Sequence, residues 1–108
     1  MIDQTTFAAF FSNDQAVMRK FLDLFVRETP ALLRQIEADL EAERWEAVSI
    51  GTHTLKSQLK YFGLTKLVAQ LQQIENQSES QFETTRVPLV WRQFTTEFSG
   101  VFRQIASL

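Results

Sequence analysis

The 108 residues carry eleven Lys or Arg against thirteen Asp or Glu, a formal charge of −2, with no cysteine and three glycines. That balance argues against a nucleic-acid partner, and the missing cysteines exclude disulfide and zinc–thiolate frameworks. Gly51, Gly63 and Gly100 do not form a Walker loop or dinucleotide fingerprint, so no sequence device for holding ATP is present. No apolar run nears the roughly 18–20 residues of a membrane span. The start Met1-Ile2-Asp3-Gln4 lacks the basic region of a signal peptide. One cytoplasmic domain over residues 1–108 is therefore expected, with no membrane association.

The elements read as helices throughout. A short segment at about 3–11 spaces Phe7, Phe10 and Phe11 for one helical face. Ser12-Asn13-Asp14 supplies capping oxygens for a helix over about 14–43. Its apolar positions Met18, Phe21, Leu22, Phe25, Leu33, Ile36 and Leu40 step by three and four. Pro30 removes one donor and crowds the preceding turn, which predicts a kink or break. Trp45 to Phe62 forms the next helix, stopped by Gly63. Thr65 to Gln77 follows, with Leu64, Leu67, Leu71 and Ile74 on one stripe, and the polar run 76–84 reads as a flexible loop. Thr85 is the expected cap of a last helix, with Pro88 in its first turn. Trp91, Phe94, Phe98, Val101, Ile105 and Leu108 make its seam. The acidic run Glu37, Asp39, Glu41, Glu43 and Glu46 reads as a wet face and turn.

Helices this short are marginal alone, so their stripes must bury one another. The expected fold is all-α: an antiparallel four-helix bundle with a short additional N-terminal helix. Its stripes satisfy one another within one chain, so a monomer is expected.

His53 is the chain's only histidine. On a wheel of about 100° per residue, Ser49, His53, Lys56, Ser57 and Lys60 gather on one side, while Val48, Leu55, Leu59 and Phe62 gather opposite. The imidazole is thus expected in water beside two lysines. Like-charge repulsion from Lys56 and Lys60 would favour its neutral, nucleophilic form. Metal binding fits poorly. The position three before His53 is Ile50, not the Glu of a di-iron motif, and one histidine without cysteines falls short of zinc.

His53-Thr54-Leu55-Lys56-Ser57, then Gly63, Leu67 and Ile74-Glu75, resembles the histidine-containing phosphotransfer (HPt) family, and the upstream run from Phe21 to Leu40 resembles that family's preceding long helix. The resemblance implies that His53 accepts a phosphoryl group from a receiver-domain aspartate and passes it to another receiver, with Lys56, Ser57 and Lys60 in support. The lysines would then also face the phosphoryl charge. Ser57 stands where the family most often has Gly, a small residue that lets the partner's loop approach. Gln58 and Tyr61 are bulkier than is common there, which bears on partner choice. The resemblance also implies response-regulator receivers and a sensor or hybrid histidine kinase as partners, no cofactor or metal of its own, and magnesium on the receiver. A docking patch is expected from Phe10, Phe11, Val17 and Leu24, with Gly63 beside it. Two other readings use similar helices: a helical adaptor that regulates a kinase or receiver without being phosphorylated, and the two-helix dimerisation hairpin of a histidine kinase.

Overall fold

The computed structural model describes residues 2–108; Met1, the first residue of the domain expected above, lies outside them. The elements are α1 (Gln4–Phe10), α2 (Gln15–Glu41), α3 (Trp45–Leu59) with a 3-10 turn (Lys60–Phe62), α4 (Thr65–Ser80), a second 3-10 turn (Thr84–Arg86) and α5 (Val87–Ala106). Helix α3 packs between α2 and α4, and α5 closes the bundle against α4 and α2. A helix of 27 residues is about 40 Å long at 1.5 Å per residue. That length matches the 41 Å long axis of the molecule, so α2 sets its shape.

Local chemistry fixes the starts. The Asp3 side chain accepts from the Thr6 amide, and Asp14 accepts from the Val17 amide, each opening a helix. Gly63 ends the histidine helix at φ +69°, a left-handed conformation that a Cβ would strain. A Cβ there would also meet the Asp3 Cβ at 2.9 Å, because the N-terminus of α1 lies on this turn. The Asp3 amide donates to the Phe62 carbonyl at 2.9 Å and ties it down.

The core follows the apolar stripes. Val48, Leu55, Leu59 and Phe62 of the α3 strip are wholly buried, as are Leu71 and Ile74 of α4 and Phe94 of α5. An aromatic cluster fills the end beneath α1, where Phe7 stacks on Phe62 at 5.0 Å and Phe21 meets Tyr61 at 5.4 Å.

Several expectations need correction. Pro30 does not break α2, which runs unbroken through it. Burial of Leu22, Phe25, Thr29, Ile36 and Leu40 along one face outweighs the single lost donor. The run 76–80 is not loop but the last turn of α4. Ser78, one turn beyond Ile74, is buried there, and Gln72 donates to the Asn76 side chain along the same helix. Thr85 caps nothing, since it sits inside the second 3-10 turn. Asp39 is not a wet acid: it is buried and accepts from Gln35 and Arg44 at the α2–α3 corner. Leu108 leaves the α5 seam, because the helix ends at Ala106 and the last side chain turns outward. Phe7, Phe10 and Phe11 do not share one fate either: Phe7 is buried, Phe11 half-buried and Phe10 exposed.

Candidate functional site

His53 sits near the middle of α3 with its side chain 59% exposed, on the ridge away from the core. Its Nδ1 lies 2.9 Å from Glu75 Oε2, on the facing helix α4. A carboxylate can only accept, so Nδ1 carries the proton and donates it. That fixes the tautomer and leaves the available lone pair on Nε2. No protein group among the described residues hydrogen-bonds Nε2.

Lys56 does not stand in water beside the imidazole as expected. Its side chain is 6% exposed, and its Nζ donates to Glu75 Oε1 at 2.6 Å and to Gln72 Oε1 at 2.8 Å. The reason lies in the wheel. Lys56 is about 60° from His53 toward α4, on the flank of α3 and not its apex. The aliphatic stem therefore enters the α3–α4 interface, where an ammonium needs a counter-charge. Glu75 supplies it. The expected repulsion between lysine and imidazole gives way to one carboxylate that binds both.

Glu75 is itself only 13% exposed. Burial alone would raise its carboxyl, but hydrogen bonds from Lys56 and His53, with their charge, outweigh that and hold it below the usual carboxylate range. Glu75 and Gln72 are the site residues that sequence reasoning left without a role. Spacing held a signal for Glu75, as the acid of the Ile74-Glu75 pair, but nothing local pointed to Gln72.

The other expected residues divide. Ser57 and Lys60 are exposed on the same ridge, one and two turns beyond the imidazole. Leu24 lines a groove of about 300 Å³ between α2 and α3, whose opposite wall is Thr54 and Gln58, next to the histidine turn. Phe10 packs edge-on against Tyr61, and Phe11 against Tyr61 and Phe21. Tyr61 is about 12 Å along α3 from His53. Phe10, Phe11 and Val17 therefore gather at the α1 end of the bundle, remote from the imidazole. Gly63 holds the turn under α1. On the other side of His53, a cleft of about 560 Å³ is lined by Glu46, Ser49, Ile50, Glu75, Ser78 and Glu79.

The arrangement is an exposed, tautomer-fixed imidazole with a buried acid–ammonium pair behind it. It suits a nucleophile that must meet a large partner. The family model for the Hpt domain matches residues 20–104, from the first turns of α2 nearly to the end of α5. No sequence among curated proteins matches. Among solved structures, the chain is similar to histidine-containing phosphotransfer protein B (HptB) from Pseudomonas aeruginosa PAO1, with a TM-score of 0.81 at 23% identity. That superposition covers 98% of this chain and 94% of the other, and it establishes the helical-bundle fold.

Proposed function

The chain belongs to the Hpt domain family, phosphotransfer intermediates of two-component signalling that interact with receiver domains and histidine kinases, and from that premise we propose that His53 is its phosphoacceptor. The observation that carries the reading is the Nδ1–H···Glu75 bond at 2.9 Å on a side chain 59% exposed. It leaves Nε2 as the one ring nitrogen with an available lone pair.

Transfer then proceeds by attack of Nε2 on the phosphorus of a receiver's aspartyl phosphate. The N–P bond forms as the P–O bond to the aspartyl carbonyl carbon's oxygen breaks, and the aspartate leaves as carboxylate. The ring gains positive charge, with Nδ1–H still facing the Glu75 carboxylate, which stabilises that charge as it develops. The reverse reaction onto a second receiver uses the same contacts. Lys56 acts through Glu75: its ammonium keeps the carboxyl ionised and in place, which makes it a positioning residue. Lys60 and Ser57, exposed on the same ridge, are assigned to the phosphoryl oxygens. Magnesium and its acidic pocket are assigned to the receiver. The chain acts as a phosphocarrier with no ATP site of its own, a cytoplasmic monomer whose helical stripes are spent on one another.

The test is incubation with a phosphorylated receiver domain, followed by intact mass. A gain of one phosphoryl group, lost in acid and kept in alkali, is expected. His53→Gln should abolish the gain while the far-UV helix signal persists. A His53→Gln protein that is still labelled overturns the assignment. The adaptor reading gives no reason for an exposed imidazole held by a buried carboxylate, and a two-helix hairpin does not account for four long helices packed within one chain.

A further inference from the structure

The cleft of about 560 Å³ beside His53 carries groups that the phosphoryl chemistry does not use. Glu46 stands on the His53 stripe of α3, seven residues and about 10.5 Å before the imidazole. Glu79 stands one turn beyond Glu75 on the facing helix α4. Both line the cleft and are exposed, and neither joins an ion pair among the described residues. Ser78 lines the same cleft while only 1% exposed, and its Oγ has no hydrogen-bond partner. A buried hydroxyl left unpaired is costly, and a donor entering from the cleft satisfies it. Ile50, 62% exposed, adds an apolar part to the wall.

The charges around the cleft do not cancel. Glu75 is engaged by Lys56 and His53, and Lys56 by Glu75 and Gln72. Arg44 is held by Asp39 at the α2–α3 corner, while Glu43 beside it adds an exposed acid. Lys60 lies two turns past His53, on the side away from Glu46. Glu83 and Arg86, in the turn after α4, offset each other, and neither lines the cleft. The N-terminus of α3 and the C-terminus of α4 both border it, with helix dipoles of opposite sign. Glu46 and Glu79 are therefore left uncompensated. Among the described residues no group of acids gathers closely enough to hold a metal ion. The cleft suits an elongated organic cation instead.

We propose that this cleft receives a lysine or arginine side chain of the receiver domain that docks on His53. The inference rests on the phosphotransfer reading of His53 and adds one contact of the partner to it. The lining matches both parts of such a side chain. Its aliphatic stem lies on Ile50, and its charged head meets Glu46 and Glu79 with an N–H to spare for Ser78 Oγ. His53 itself lines the cleft, so a domain that brings an aspartyl phosphate to Nε2 covers both. Glu46 is about 10.5 Å along α3 from the imidazole, outside the reach of the reacting atoms. The contact therefore governs which receiver docks and which way round it lands, and takes no part in bond making.

The test separates docking from chemistry. Glu46→Lys and Glu79→Lys are combined in one variant, Glu46→Gln and Glu79→Gln in another, with circular dichroism as the fold check. Phosphoramidate, a small donor that needs no docking, should label His53 within about twofold in all three proteins at equal ionic strength. The receiver that labels the wild type fastest, from a panel charged with acetyl phosphate, is then compared across them. Transfer should fall about tenfold or more in the Lys variant and less in the Gln variant, and added salt should recover part of the Lys variant's loss. Exposed Lys and Arg residues around that receiver's aspartate pocket are then changed to Glu one at a time. One such receiver should lose transfer to the wild type and regain about threefold or more with the Lys variant. Transfer to the Lys variant within about twofold of wild type, or a scan in which no change restores it, overturns the inference. No label on the wild type from phosphoramidate and receivers alike would sink the phosphotransfer reading as well.

Discussion

A single carboxyl group, Glu75, decides how His53 and Lys56 behave. It fixes which nitrogen of the imidazole is free, and it neutralises an ammonium that is otherwise surrounded by protein. The two tasks separate by substitution. Glu75→Gln keeps an acceptor for Nδ1–H and loses the charge, so labelling of His53 should slow about tenfold without vanishing. Glu75→Ala leaves Lys56 with Gln72 alone, and breaking a buried pair in this way should cost about 3 kcal/mol in urea unfolding. A pH dependence follows from the same contact. The folded carboxyl titrates below its ordinary value of 4.5, so the unfolded chain binds the proton first as acid is added. The stabilisation is complete above about 4.5 and is lost as pH falls through the lowered folded value. Urea midpoints of the wild type should therefore decline across that interval, and Glu75→Gln should remove part of the decline. An unchanged slope in the variant would show that the pairing contributes nothing to folding.

Helix against helix, spacing of side chains explains what the stripes alone do not. Gly51 on α3 faces Ile36 of α2, and a Cβ there would come within 2.8 Å of the Ile36 Cγ1. The two helices approach because this position has no side chain. Gly51→Ala should therefore destabilise by about 1–3 kcal/mol through overpacking, despite the better helix propensity of alanine. Gly100 on α5 has nothing within 4 Å of its Cβ position, and Gly100→Ala should stabilise by about 0.5–1 kcal/mol. Opposite signs in thermal or chemical unfolding check both. The same distinction marks what the sequence made legible. Apolar stripes name the buried row of each helix, which places Val48, Leu55, Leu59 and Phe62 in the core and His53 in solvent. Position on a flank is harder, because its fate depends on the neighbouring helix. Lys56 looks solvated until Glu75, nineteen residues later, is brought across from α4. The run 76–80 looks like loop until Ser78 is packed, and Asp39 looks wet until Arg44 turns back on it. In each case a polar residue is settled by a partner that local pattern does not contain.

At the scale of the whole molecule, the α1 end of the bundle and the middle of α3 have separate duties. Residues 20–104 match the family and hold His53, Lys56 and Glu75, whereas α1 lies before that span. It is attached through aromatic packing: Phe7 stacks on Phe62 with planes 4° apart and also meets Phe11 and Phe21. The histidine turn, about 12 Å along α3 from Tyr61, does not touch that cluster. Phe7→Ala should therefore act on stability and leave the chemistry alone. Losing a buried phenylalanine costs about 3–5 kcal/mol, and the lower figure applies if α1 simply detaches. Detachment would show as rapid hydrogen exchange confined to the amides of α1, with those of α3 and α4 still protected. Phosphoramidate labelling of His53 should proceed at the wild-type rate in the folded variant. Should labelling fall together with stability while α3 and α4 stay protected, the aromatic end and the imidazole are coupled, and α1 is part of the phosphotransfer site and not a cover for one end of the core.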